Sequence, residues 1–430
     1  MNYIKQVLYE LKNQKMMTLV SVSGTALSIF LIMAIFMASR LKQLEIPPLS
    51  DRDRILTAMG IDFSTDQGSS GSGMGIDYDL AKKLYCNLDG IEKESFVKLV
   101  WGKIEAGQPR GETYTTDIIL VDDEFWNIYD YKFISGKPFD NEEIKSQTNL
   151  AILTKSMAHK IFGEEDVAGR MVDIENIPYR VKGVIDDQYP MLPDAKNGIF
   201  LSFTPGEPNQ YYMGIFGNVN LRLLLKEGVS PDHIKKQVAK RYEDLNREYE
   251  SENKTFTYHK QPYTYDELNM GSFGSNNDPP VKSHRIEMFF YYGILLLLPA
   301  INLSSMTRSR LHHRISEIGV RRAFGAKKRN IISQIFTENL ILSLGGGIIG
   351  LFFSLLFLLF MSGYVIAVYD IMDGGSLQNV SIAPVVWHIF DWKTFFIAIG
   401  ACFVLNLLSA TLPSWKAASV KPAIAIAKTR

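Results

Sequence analysis

Three runs of this chain carry no charged side chain over at least 20 residues, Met16 to Ser39 (24), Met288 to Thr307 (20) and Thr394 to Ser414 (21), and a fourth, longer one spans Asn339 to Tyr369. As a helix the first run is about 36 Å long, against a bilayer hydrocarbon core of roughly 30 Å. The pattern predicts membrane helices at 16–39, 288–307, 339–363 and 394–414. A cleaved signal peptide is the rival reading of the first run, but its apolar core exceeds the usual length and three more runs follow. None of the four spans holds an acid, a lysine, an arginine or a histidine, so nothing in them suggests a proton relay or an ion path. Asn302 and Asn406 are candidate interhelical hydrogen-bond partners, worth about 1 kcal/mol each. Gly346 and Gly350 form a GxxxG pair that lets two helices approach closely, and Pro299 is placed to kink the second span.

The chain has 46 basic and 46 acidic side chains, a zero balance that names no polyanionic partner and argues against nucleic acid. Divided by the spans, neutrality becomes two opposite asymmetries. Segments 1–15, 308–338 and 415–430 together hold 15 basic and 3 acidic residues, whereas the remainder holds 31 and 43. The positive-inside rule puts both termini and 308–338 in the cytoplasm. It leaves 40–287 and 364–393 outside. Two cysteines, Cys86 and Cys402, supply neither a disulfide framework nor a sulfur-rich metal site.

Segment 40–287 is long enough to bury its own core. Thr65 to Gly75, rich in glycine and serine, reads as a flexible loop and lacks the GK[ST] of a phosphate-binding loop. Residues 112–129 read as a strand followed by a short helix. In 149–163 a strand through Leu150 precedes an amphipathic helix that ends at Gly163. Residues 172–187 read as a hairpin turning near Asn176-Ile177-Pro178, and 219–228 as a strand. Ser230 then caps a helix with Pro231 just inside, running to about Tyr249. The expectation is an α-helical membrane protein with four transmembrane helices and a large α+β extracytoplasmic domain of two lobes.

No catalytic constellation emerges, and the chain is read as a non-enzyme with no metal or cofactor site of its own. His159, His259 and His284 are scattered outside any metal-ligand spacing. Ser156 and Ser283 lack a nucleophile context. The adjacent pairs Asp122-Asp123 and Asp186-Asp187 read as solvated turn residues, because neighbours on a strand point to opposite faces. The aromatic stretch 209–218 is either core packing or an exposed binding tip.

The densest signal lies in 309–350. Ile315, Ile318 and Gly319 fall at helical spacing, and Arg321-Arg322 follow. Gly325-Ala326 then break the pattern before Lys327-Lys328-Arg329 and a second helix that runs into the third span. Two helices joined at a small-residue break make an elbow at the membrane face. A positive-inside anchor on anionic lipid accounts for the basic residues. A docking element for a cytoplasmic partner also accounts for Glu317 and the break. The residues alone leave both open.

The stretch ISEIGVRRAFGAKKRNIISQIFTENLILSLGGGIIG resembles the segment that defines the FtsX/MacB-like family of ABC transporter permeases. The C-terminal LPSWKAASVKPAIAIA, with Pro413, Ala417, Ala418 and Pro422-Ala423, is similar to that family's closing pattern. ISGKPFDNEE, AILTKSMAHKIFG, Asp166, Gly169 and YRVKGVIDD resemble its MacB-like periplasmic core domain. The resemblance implies a multi-pass protein of the bacterial inner membrane with a periplasmic domain. It implies Glu317, Gly319, Arg321, Arg322, Gly325 and Ala326 as the element that couples to separate cytoplasmic ABC ATPase subunits. ATP and magnesium would sit on those partners. A second permease, as homodimer or related heterodimer, is implied as well, with a periplasmic adaptor and an outer-membrane channel as further partners. The expected function is export or efflux of a periplasmic or membrane-derived substrate, powered by relayed ATPase motion. The alternative is non-transporting mechanotransmission that regulates a cell-wall hydrolase or a sensor kinase.

Overall fold

A computed structural model describes residues 15–41, 45, 47–66, 68–72, 75–100, 102–146, 148–188, 197–203, 217, 219–270, 277–294, 320, 324–372, 392–393, 395–400 and 403–404. The chain divides into two units, one of residues 1–41 with 285–430 and the other of residues 42–284.

In the 42–284 unit, strands β1 (Ile55–Ala58), β2 (Ile61–Thr65) and β3 (Gly68–Ser72) lead into helix α2 (Tyr78–Tyr85), as α1 is the long N-terminal helix Lys15–Leu41. Then come β4 (Ile91–Leu99), β5 (Ile104–Gly107), β6 (Thr113–Val121), the short helix α3 (Phe125–Ile128), β7 (Phe133–Gly136) and α4 (Asn141–Lys145). Strand β8 (Leu150–Thr154), helix α5 (Lys155–Phe162), β9 (Met171–Ile174), β10 (Ile177–Ile185) and β11 (Asn197–Ser202) follow. The unit ends with β12 (Val219–Leu225), α6 (Pro231–Glu248), β13 (Thr255–Thr257), β14 (Tyr263–Thr264) and α7 (Tyr265–Met270).

Local chemistry sets most of these boundaries. Asp77 accepts from Leu80 N to cap α2, and Asp140 and Glu143 exchange hydrogen bonds in a capping box on α4. Ser230 accepts from Asp232 N, with Pro231 in the first turn of α6. Gly163 ends α5 in the left-handed region at φ 78°. Glu175 and Asn176, at φ 50° and 64°, make the two-residue turn between β9 and β10.

The strands assemble around two apolar cores, one for each expected lobe. In the first, β1, β4 and β12 pair antiparallel under α2 and α6, and α6 inserts Ile234, Val238, Tyr242 and Leu245 at helical spacing. In the second, the pairings β6–β11, β11–β8, β8–β10, β10–β9, β9–β5 and β5–β6 form a closed ring of six strands. Ala151, Leu153, Val172, Val181, Val184 and Ile199 belong to that core, with Met157, Ala158 and Ile161 of α5. Strand β6 serves both cores: Ile119, Leu120 and Val121 pair with β4 on one side and β11 on the other.

Three expectations in this unit need correction. Residues 68–72 are not a loop but strand β3, which pairs with β2 from Thr65↔Gly68 to Ile61↔Ser72. Gly71 lies against the Asp62 side chain, so that a Cβ there would fall 2.1 Å from Asp62 Oδ1 and turn the carboxylate aside. The strand that begins at Leu150 continues to Thr154 because parallel β10 and antiparallel β11 flank it, and it is buried throughout. Asp122 is not a solvated turn residue. It is 5% exposed and accepts from Ser95 Oγ at 2.7 Å, Phe96 N at 2.7 Å and Phe125 N at 3.1 Å. Burial pushes its carboxyl up to about 6, while the three donated hydrogen bonds pull the other way.

In the other unit, α1 (27 residues) and the helix Lys328–Met372 (45 residues) pack side by side. The latter is α9, since residues 281–294 form α8. Among the described residues, α1 and α9 are the two helices long and apolar enough to cross a membrane. As a helix α9 continues unbroken past Gly363, the expected end of its membrane part, to Met372. The contacts advance together along both helices: Leu342 packs on Val22, Gly346 faces Thr25 and Gly350 faces Ala26 and Ile29. The pair is therefore parallel. A Cβ on Gly346 would fall 2.6 Å from Thr25 Cβ, and one on Gly350 would fall 2.5 Å from Ala26 O. Gly347 is turned toward Ile399 instead, and Gly345 toward open space.

Three substitutions test the packing in the two units. Gly350→Ala is expected to lower the thermal midpoint of the detergent-solubilised chain, at an overpacking cost of about 1–3 kcal/mol. Gly345→Ala, with nothing within 4 Å of its Cβ, should leave the midpoint unchanged or raise it. Asp122→Ala strands three donors and is expected to cost about 3 kcal/mol in chemical denaturation at neutral pH.

Candidate functional site

The elbow is where the sequence signals converge. Phe324 N donates to Val320 O at 3.1 Å, a helical hydrogen bond, and Gly325 follows at φ 92°. Nothing lies within 4 Å of a Cβ at Gly325, so glycine is required there by the left-handed backbone and not by crowding. Ala326 and Lys327 lie outside any helix or strand, Asn330 N donates to Lys327 O at 3.0 Å, and α9 begins at Lys328. Phe324, 88% exposed, projects at the break. Glu317, Gly319, Arg321 and Arg322 lie outside the described residues.

The start of α9 is electrostatically unusual. Lys327, Lys328 and Arg329 stand at a helix N-terminus, and no acidic residue occupies the first turn. The helix macrodipole disfavours cations at that end, so this cluster does not serve α9 itself. Its chemistry suits a negatively charged surface outside the helix.

From the elbow, α9 leads into the glycine-lined contact with α1, where Gly346 and Gly350 of the sequence-derived set meet the helix. Asn302 and Asn406 lie outside the described residues. The sequence reading missed the α1 side of this contact. Ser21, Thr25 and Ser28 are buried there, at spacings of four and three that would have marked one helix stripe. Thr25 Oγ1 donates to Ser21 O and Ser28 Oγ to Gly24 O, both at 2.9 Å, so these hydroxyls are satisfied within their own helix. Glu338 and Asn339 are buried on α9 one turn before Leu342 and Ser343.

In the 42–284 unit, the polar residues weighed as catalytic groups have structural partners. Ser156 N and Oγ donate to Asp187, 2.9 Å from the amide, and Ser283 Oγ donates to Pro280 O at 3.1 Å. Asp186 pairs with Lys132. His159 is exposed, and His259 Nε2 lies 2.9 Å from Asp62. Among the described residues, no three His, Cys, Asp or Glu side chains gather as a metal-binding set. Cys86 is buried, which pushes its thiol well up from the ordinary range. The 209–218 stretch lies outside the described residues apart from Gly217.

Two family models match the chain, the MacB-like periplasmic core domain over residues 18–241 and the FtsX-like permease C-terminal over residues 289–422. The macrolide export ATP-binding/permease protein MacB of Wolinella succinogenes is 25% identical over 320 residues, which cover 73% of this chain and 44% of that protein. The protein of the same name from Pasteurella multocida is 22% identical over 316 residues, covering 74% and 44%. The chain thus spans less than half the length of these curated relatives. The crystal structure of the periplasmic region of MacB from Actinobacillus actinomycetemcomitans aligns with 13% identity and a TM-score of 0.34, covering 50% of this chain and 92% of that one. With the periplasmic core model matching more than half of the 430 residues and the permease model following it in order, the chain belongs to the FtsX/MacB-like family of ABC transporter permeases.

Proposed function

We propose that this chain is the permease subunit of an export system, relaying the motion of separate ATPase subunits to its large domain. The observation that carries the reading is the continuity of α9. The helix begins at the Gly325 break, beside cations that its own dipole disfavours, and runs parallel to α1 through a glycine-lined contact. The C-terminal end of α1 leads by chain continuity into the 42–284 unit. A displacement of the elbow therefore has a helical path toward that domain. Packed elements of this kind shift as units, because close-packed interfaces do not deform smoothly.

The parallel pairing supports the orientation read from charge. The N-terminal ends of α1 and α9 lie at one end of the pair, which agrees with 1–15 and 308–338 sharing the cytoplasmic side. In this reading four helices span the inner membrane, both termini are cytoplasmic and 40–287 is periplasmic. Glu317, Gly319, Arg321, Arg322, Gly325 and Ala326 form the coupling element. ATP and magnesium are held by the ATPase partner, and two permeases, identical or related, act together. The relatives' name, macrolide export ATP-binding/permease protein, supports export over signalling without transport and supports an ATP-binding partner. The substrate in this reading is periplasmic or membrane-derived.

Reversing Arg321 and Arg322 to glutamate is expected to abolish co-purification of the ATPase subunit while the permease remains inserted. Undiminished co-purification would remove the docking assignment and favour a lipid anchor. Single reporters test the orientation. A cysteine at position 70 should react with an impermeant thiol reagent in spheroplasts, and one at position 325 should react only after lysis.

A further inference from the structure

The 42–284 unit is joined to the rest of the chain by two connections, an incoming one before Arg52 and an outgoing one after α7. We propose that Arg52 binds these connections into a single attachment, so that a displacement delivered through either one loads the domain's central strands instead of peeling α7 and β14 away. The proposal rests on the relay reading above.

Arg52 opens a short 3-10 turn, Arg52–Arg54, directly before β1. Its side chain is 5% exposed, pairs with Asp266 of α7 and stacks over the Tyr265 ring, 5.1 Å from the centroid. Two residues on, Arg54 fixes the incoming connection to the first core. Its Nε donates to Leu225 O of β12 at 2.9 Å, and its guanidinium pairs with Glu92 of β4 and Asp51. The incoming connection therefore ends on two central strands.

The outgoing connection has weaker local support. Helix α7 has six residues, too few to persist alone in water. The strand before it, β14, contributes two register pairs with β1, Leu56↔Thr264 and Thr57↔Tyr263. Farther along, Asp278 pairs with Lys260 at an exposed site, where an ion pair holds little. Tyr263 Oη donates to Asn277 O at 3.2 Å. What fixes α7 is its adjacent pair of carboxylates. Glu267 accepts from Thr264 N at 2.8 Å and from Lys235 Nζ of α6 at 2.5 and 2.6 Å. Asp266 meets Arg52. One carboxylate thus ties the outgoing helix to α6, and the other ties it to the incoming connection. A buried guanidinium holds its partner more firmly than a surface pair, since the second carboxylate near Arg52, that of Asp53 at 3.6 Å, is exposed and compensates the charge weakly if Asp266 is lost.

The test uses the full chain with its ATPase subunit in nanodiscs, trapped with ATP and vanadate, and two spin-label pairs measured by pulsed electron resonance. Glu175 and Phe289, both exposed, report on the domain relative to α8; Met16 and Phe324, also exposed, report on the elbow. In the unmodified sequence both distances should shift on trapping. Arg52→Ala, and the gentler Asp266→Asn at a half-exposed position, should keep ATP hydrolysis and the elbow shift but lose most of the domain shift. Arg52→Asp combined with Asp266→Arg should recover it. An undiminished domain shift in both single variants overturns the proposal while leaving the relay reading intact. Absence of any shift at either pair in the unmodified sequence overturns the relay reading, and the proposal with it.

Discussion

Two helices can share a side of contact in hydrocarbon only if their surfaces fit, because water supplies no driving force there. At Gly346 and Gly350 the fit is made by the absence of a side chain, which brings the α9 backbone against Thr25 and the Ala26 carbonyl. Two of the hydroxyls this approach encloses, those of Thr25 and Ser28, are satisfied at short range by carbonyls of their own helix. Through this contact the elbow at Gly325 and the chain leaving α1 become ends of one packed assembly. Fill the glycine notch and the two helices lose their register.

The 42–284 unit meets a different demand, that of presenting β-structure to water without offering open edges. Six of its strands close on themselves, so in that lobe the open edge among the described residues is reduced to the short β7, which pairs with β10 alone. The other lobe stays open and ends at β14, where α7 and its two carboxylates finish the structure. Between the lobes, Asp122 gathers donors from β4 and from the start of α3. The rings of Phe125, Trp126, Tyr131 and Phe200, 5.3–6.0 Å apart, join α3 to β11.

Features that depend on neighbours in sequence were legible before the fold was known. Ser230-Pro231 marked the start of α6, residues 113–121 had the composition of a strand, and the turn before Ile177 fell within one residue of its place. The elbow was legible because Gly325 interrupts an otherwise helical pattern. Features that depend on distant partners were not. Asp122 looks like half of a polar turn, and the donors of β4, Ser95 Oγ and Phe96 N, 27 and 26 residues earlier, join Phe125 N to make it a buried acceptor. Strand β3 has the composition of a linker and takes its order from β2. Arg52 and Asp266 are 214 residues apart, and no local pattern connects them.

Strand β6 runs through both cores without interruption, with its first half in the ring and its second half shared between β11 and β4. The lobes therefore have no hinge between them at that strand. A torque applied at one core reaches the other along a single extended backbone, whose stiffness comes from hydrogen bonds on both flanks. Such a domain behaves as a lever arm more than as a jaw. Its outer surfaces are then free to diverge, while substitutions along β6 would be felt in both lobes at once.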